Sequence, residues 1–242
     1  FGTFGTINGN IFADQLDFDR VYEDEARRYY TNIVGKYGAQ VQNALKKASA
    51  LDVKIIAPLH GPIWRTPETI SYILNKYMHW STYNAEKKGV VIAFGSMYGN
   101  TAEMAQQLAK LLSLRGVTDI RIYDVSKTNP SYIISDAWKY SHLVCMAPTY
   151  NLGLYLTMEN LLHELHALNF HNHKVSIVGN HSWASGAMKR MVEYFTNEFK
   201  NMEIVGTPLD IKGALHDEQL PLFEELADAI VASLEETDIK TL

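Results

Sequence analysis

The stretch VVIAFGSMYGNTAEMAQQLAKLL, Val90 to Leu112, decides the fold. Val90–Phe94 is a continuous apolar run of strand length, the pattern of a strand buried on both faces. Small and hydroxyl-bearing residues follow, and a helix starts near Thr101. The same rhythm recurs downstream. IRIYDV (120–125) precedes a helix around Tyr132–Lys139, and HLVCMA (142–147) precedes LTMENLLHELHAL (156–168). KVSIVG (174–179) precedes GAMKRMVEYFTNEF (186–199), and EIVG (203–206) precedes a last helix near Asp217–Leu234. Five strand–helix alternations predict an α/β domain with a doubly wound, five-stranded parallel sheet.

Upstream the rhythm is different. Residues 20–50 carry helical spacing interrupted at Gly35 and Gly38, VKIIA (53–57) reads as a short buried strand, and Thr66-Pro67 opens another helix as N-cap and N1. One strand cannot form a sheet, so this region does not read as self-sufficient. The polar residues 81–89 read as a linker. The expected division is 1–85 and 86–242. The opening FGTFGTINGN, with its Gly-aromatic repeats, reads as loop without the features of a signal peptide. Processing, or a start inside a longer protein, would each explain it.

The chain has 242 residues, 47% apolar and 20% charged, enough for a sizeable core. A net charge of −5 gives no electrostatic attraction to nucleic acid or anionic lipid, and no apolar run reaches the ~18 residues of a membrane span. The single cysteine, Cys145, excludes an internal disulfide, and a reducing cytoplasm fits best. Cys145 lies in an apolar strand and is expected in the core.

Ligands of such sheets bind beyond the carboxyl ends of the strands. Three strand ends here carry unusual loops. The first, Ser96-Met97-Tyr98-Gly99-Asn100-Thr101, places hydroxyls and an amide at a helix start, where free N–H groups and the helix dipole favour an anion. Without a Lys it is not a Walker A loop, and G-x-G-x-x-G spacing is absent. It suits a terminal monophosphate; the same residues also suit a well-capped helix. The second loop is Pro148-Thr149-Tyr150-Asn151-Leu152-Gly153, and the third is Asn180-His181-Ser182-Trp183-Ala184-Ser185-Gly186. Tyr150 and Trp183 could lie against a flat heterocycle whose polar edge meets Thr149, Asn151 and Asn180. His163, His166, His171 and His173 invite a metal reading, but H-E-L-H is not H-E-x-x-H, and histidines at a helix C-terminus also suit the dipole. No G-x-S-x-G is present to support hydrolase chemistry. In APLHGPIWR, His60 has no candidate co-ligand within thirty residues.

SMYGNT, PTYNLG and GNHSWASG together resemble the flavodoxin-like domain of flavodiiron proteins. FGTFG and APLHGPIWR are similar to the last part of that family's metallo-β-lactamase-like diiron domain. The resemblance covers the whole chain and implies FMN held by the three loops, with His60 as one iron ligand. The family's other ligands, an H-x-E-x-D motif, a further His and a bridging Asp, precede the FGTFG segment. Residues 1–85 would then be the helical C-terminal part of the diiron domain. The implied activity is FMN-dependent electron transfer to a non-haem diiron centre that reduces dioxygen to water, nitric oxide to nitrous oxide, or both. Implied partners are an external electron donor, a rubredoxin-like protein or a flavin reductase, and a second copy in a head-to-tail homodimer. A surround without cations, with Trp183 stacked on the ring, would lower the flavin's potential. Two alternatives stay open on the same fold: a stand-alone flavodoxin-type electron carrier, and a flavin-dependent NAD(P)H:quinone reductase.

Overall fold

The computed structural model describes residues 1–5 and 9–239, so Thr6–Asn8 of the opening loop lie outside the described residues. The chain divides into two compact units, Phe1–Asn84 and a second that begins at Ala85.

The first unit is helical: α1 (Phe18–Val21), α2 (Glu23–Tyr29), α3 (Gly38–Ala48) and α4 (Pro67–Ser81). A π turn over Tyr30–Val34 and a 3-10 turn over Gly35–Tyr37 join α2 to α3, so the glycines change the helix type instead of ending it. Thr66 accepts from the Thr69 N–H and Thr69 accepts from the Thr66 N–H, a capping box that fixes the start of α4. Phe18, Tyr30, Trp64, Tyr77 and Trp80 form an aromatic core. The expected strand at 53–57 is absent. Only Ile56 pairs, with Trp64, and Ile55 is 60% exposed. The run is apolar, yet no neighbouring strand among the described residues covers it. The linker over 81–89 is also shorter than expected, because α4 keeps Ser81 and the first strand of the next unit begins at Lys87.

That unit holds β1 (Lys87–Phe94), β2 (Ile120–Asp124), β3 (Tyr140–Tyr150), β4 (Gly153–Leu154), β5 (Lys174–His181), β6 (Glu203–Ile204) and β7 (Leu209–Lys212). Its helices are α5 (Asn100–Leu114), α6 (Pro130–Lys139), α7 (Leu156–Ala167), α8 (Ala187–Glu193) and α9 (Leu220–Glu236). The sheet order is β2-β1-β3-β5-β6, the flavodoxin-like doubly wound order, and every pair on this path is parallel. The fifth position is divided. Residues 203–206 supply only the two-residue β6 beside Lys174 and Val175, while β7 pairs with β5 from Val178 to His181. The sequence reading missed β7, whose L-D-I-K alternation is too short to stand out from the loop around it.

Burial explains the apolar runs. Ile92, Val144 and Val178 pack with Leu108 and Leu112 of α5 and with Phe223 and Ile230 of α9. The alternate residues Val91, Leu143, Cys145 and Ile177 are buried as well, as a sheet covered on both faces requires. Burial pushes the Cys145 thiol far above its ordinary range, so it stays protonated and inert. No helix among the described residues is long and apolar enough to cross a membrane.

Candidate functional site

β1 leads across one edge to β2, and the chain then returns to the other side of β1 as β3. The carboxyl ends of β1 and β3 therefore flank the point where the winding reverses, the place where open sheets leave a crevice. The three loops singled out in the sequence leave β1, β3 and β5 at this end.

The first loop begins at Gly95, where a Cβ would come within 2.4 Å of the Tyr155 ring, so only glycine lets these segments pass. Ser96 Oγ accepts from the Gly99 N–H at 3.1 Å. Gly99 adopts φ +98° and starts α5 without a side-chain cap. The first-turn N–H groups of this fifteen-residue helix are thus left for a ligand or water. Thr101 is 2% exposed, and its hydroxyl has no partner among the described residues. Met97 and Tyr98 are exposed, Tyr98 to 91%.

The second loop is a tight hairpin. β3 and β4 pair through Thr149–Leu154 and Tyr150–Gly153, leaving Asn151 and Leu152 as a two-residue turn with φ +47° and +66°. Both positive values are those of a type I′ turn. Asn tolerates this conformation; a leucine held there carries strain on the order of 1–3 kcal/mol. Thr149 Oγ1 accepts from the Gly186 and Ala187 N–H groups at 3.0 and 3.1 Å. The second loop thereby caps α8, the helix that follows the third. Gly186 is required at this crossing, since a Cβ would lie 2.3 Å from the Leu152 carbonyl oxygen. Pro148 is buried at the end of the strand.

In the third loop, Ser182, Trp183, Ala184 and Ser185 are all exposed, Trp183 to 99%. Asn180 is buried and donates to the Ile211 and Gly213 carbonyl oxygens at 2.8 and 2.7 Å. Its two amide hydrogens hold β7 to β5, so its contribution is the placement of the loop. His181 Nδ1 lies 3.1 Å from Asp210 Oδ1. Between the hairpin, α7 and α8 opens a cleft of about 790 Å³, lined among others by Tyr150, Leu152, Leu156, Ser185, Lys189 and Arg190.

A planar, phosphorylated ligand fits this arrangement on two structural grounds. The unpartnered hydroxyl of Thr101, a residue only 2% exposed, and the uncapped α5 terminus offer donors for an anion. Beside them, Tyr98, Tyr150, Leu152 and Trp183 leave apolar surface in water that a flat ring would cover. Sequence reading did not find Tyr155, Ser126 or Thr157. Their hydroxyls meet at 3.2–3.3 Å beside the first loop, with Ser126 bonded to both others.

His60 lies in the first unit on an exposed loop. Its carbonyl accepts from the Thr3 N–H at 3.2 Å, which ties the FGTFG segment to the HGP turn. Its ring is 5.9 Å from Tyr29. Among the described residues no group of three His, Cys, Asp or Glu is placed to hold a metal. His60 is therefore a single candidate ligand, with no such group around it among the described residues. In the histidine group near α7, His163 is exposed, and the His166 ring stands edge-on to Phe199. His173 is buried, and burial holds its ring neutral down to about pH 4.

Comparison with known proteins places these features. The family description Flavodoxin matches residues 92–238. An uncharacterised protein of Methanocaldococcus jannaschii is 30% identical over 72% of this chain and 43% of its own length. The anaerobic nitric oxide reductase flavorubredoxin of Aliivibrio fischeri is 26% identical over 77% of this chain and 38% of its own. This chain thus spans less than half the length of either relative. Among solved structures, rubredoxin oxygen:oxidoreductase from Desulfovibrio gigas superposes with a TM-score of 0.88 at 24% identity, over 97% of this chain and 57% of that one. The fold is therefore shared across both units, each within a longer relative. The chain belongs to the flavodoxin family and is a member of its flavodiiron branch.

Proposed function

We propose that the three loops bind FMN and that the chain is the electron-delivering part of a flavodiiron oxidoreductase, a reading in which residues 86–242 form the FMN domain and residues 1–85 the C-terminal part of the diiron domain. The observation that carries it is the pairing of the uncapped α5 terminus and unpartnered Thr101 hydroxyl with the exposed Trp183 and Tyr98 at one end of a family-matched sheet. Ser96, Asn100 and Thr101, with the first-turn N–H groups, would hold the phosphate through charge-assisted hydrogen bonds. Tyr150 and Trp183 would cover the ring and exclude water, and the Thr149 clamp on Gly186 and Ala187 keeps their two loops in register. FMN supplies electron transfer when bound; the protein supplies its orientation and electrostatic surround.

His60 would provide one iron ligand in a longer polypeptide that carries the others. The relatives named nitric oxide reductase flavorubredoxin and rubredoxin-oxygen oxidoreductase support nitric oxide and oxygen as electron acceptors and a rubredoxin-like donor, with a flavin reductase as the alternative donor. A cytoplasmic location and a head-to-tail homodimer complete the reading. The experiment is His60→Ala in such a longer protein. Iron content and turnover of oxygen or nitric oxide should be lost while FMN stays bound. Normal iron and normal turnover would retire the ligand role.

A further inference from the structure

β5 and β7 run parallel with Gly179 opposite Asp210 and His181 opposite Lys212. Residues two apart in a strand share a face, so His181, Asp210 and Lys212 stand together. Gly179 adds no side chain there. A Cβ at Gly179 would sit 2.9 Å from Asp210 Oδ1 and 2.6 Å from Met188 Cβ. The glycine leaves room for the Asp210 carboxylate to lean along the strand until it meets His181 Nδ1 at 3.1 Å. Both side chains are largely enclosed, 17% and 20% exposed. An ionised carboxylate only accepts, so Nδ1 carries the hydrogen. In the neutral ring Nε2 is then an acceptor, and it has no partner among the described residues. The next residues are the exposed loop that carries Trp183.

We infer, resting on the FMN reading above, that Asp210 is a positioning residue: it fixes His181 in the Nδ1–H tautomer so that Nε2 accepts a hydrogen bond from a ring N–H donor of the bound flavin, the class of its imide group. The other charged groups on the packed elements are Lys212 on β7 and Lys189, Arg190 and Glu193 on α8. Lys189 is 80% exposed, and Arg190 is engaged with Glu159, Glu193 and Glu198. Among the described residues, Asp210 is thus the one carboxylate in direct contact with the ring.

The test is FMN affinity at pH 8, read by quenching of flavin fluorescence, for the native chain and for His181→Leu, Asp210→Leu and Asp210→Asn. The expected result is a loss of about tenfold at pH 8 in His181→Leu and Asp210→Leu, the size of one hydrogen bond. Asp210→Asn, which keeps an acceptor oxygen, should recover most of the affinity. Near-UV circular dichroism and the urea midpoint confirm that each variant is folded. A folded His181→Leu with the native affinity would overturn the inference, as would a folded Asp210→Asn that binds no better than Asp210→Leu. A native chain that binds no FMN would overturn the FMN reading as well.

Discussion

Acid should destabilise the second unit through two buried histidines that take no part in the site. His142 is 2% exposed, with Nδ1 2.8 Å from Ser141 Oγ and Nε2 3.0 Å from Ser233 Oγ. Lys174 Nζ donates to the same Ser233 oxygen at 2.8 Å. Ser233 then gives its own hydrogen to Nε2, and Nδ1–H donates to Ser141, an arrangement with no place for a second ring proton. Burial, then the charge of Lys174, lowers the His142 pKa to about 3; burial lowers that of His173 to about 4. An unfolded imidazole protonates at ~6.5, so between that value and the folded ones the unfolded state binds more protons and stability falls as the pH falls. Each histidine then costs about 1.4 kcal/mol per pH unit, or about 2 kcal/mol between pH 7.5 and pH 5. The assay is urea unfolding at those two values for the native chain and for His142→Gln. Other groups titrate alike in both proteins, so the loss on acidification should be smaller by about 2 kcal/mol in the variant. An equal loss in the two proteins would refute this account of His142.

Thr149→Val leaves the partly buried Gly186 and Ala187 N–H groups without their acceptor, at a cost of about 1–3 kcal/mol. Differential scanning calorimetry should show Tm lower by roughly 2–4 °C per kcal/mol, and FMN titration should show weaker binding. Thr101→Val replaces an unpartnered hydroxyl by a methyl group of similar size, so Tm without flavin should hardly move. FMN affinity measured by titration should fall by roughly ten- to a hundredfold, the size of a charge-assisted contact.

The parallel sheet and its three loops were legible because buried parallel strands leave continuous apolar runs. Val90–Phe94 and Val175–Val178 could scarcely lie elsewhere than in a covered sheet. The loops were visible because hydroxyls, amides and aromatics such as Ser96, Thr101, Thr149, Tyr150 and Trp183 follow those apolar runs at strand ends. Partnership between distant residues was not legible. Thr149 reaches Gly186 37 residues away, and His142 reaches Ser233 91 residues away. Such pairs depend on sheet register, which one sequence does not state. Asp210 was invisible for the same reason, since its role requires both the short β7 and the bare Gly179 opposite. Asn180 has a structural role that its residue type did not disclose: its amide hydrogens bind the Ile211 and Gly213 carbonyls. The apolar VKIIA run misled because apolar content marks burial only where something covers it; Ile55 is 60% exposed.

The central claim is that the loops following β1, β3 and β5 form an FMN site, and its most direct test is the identity and amount of flavin released by heat from the purified chain. Chromatography with mass detection of the supernatant should show FMN approaching one per chain, after reconstitution if purification strips it. Trp183→Ala, which removes exposed ring-covering surface and no buried contact, should lower the amount retained while leaving the fold intact. FAD in place of FMN, or a folded chain that takes up no flavin, would contradict the account.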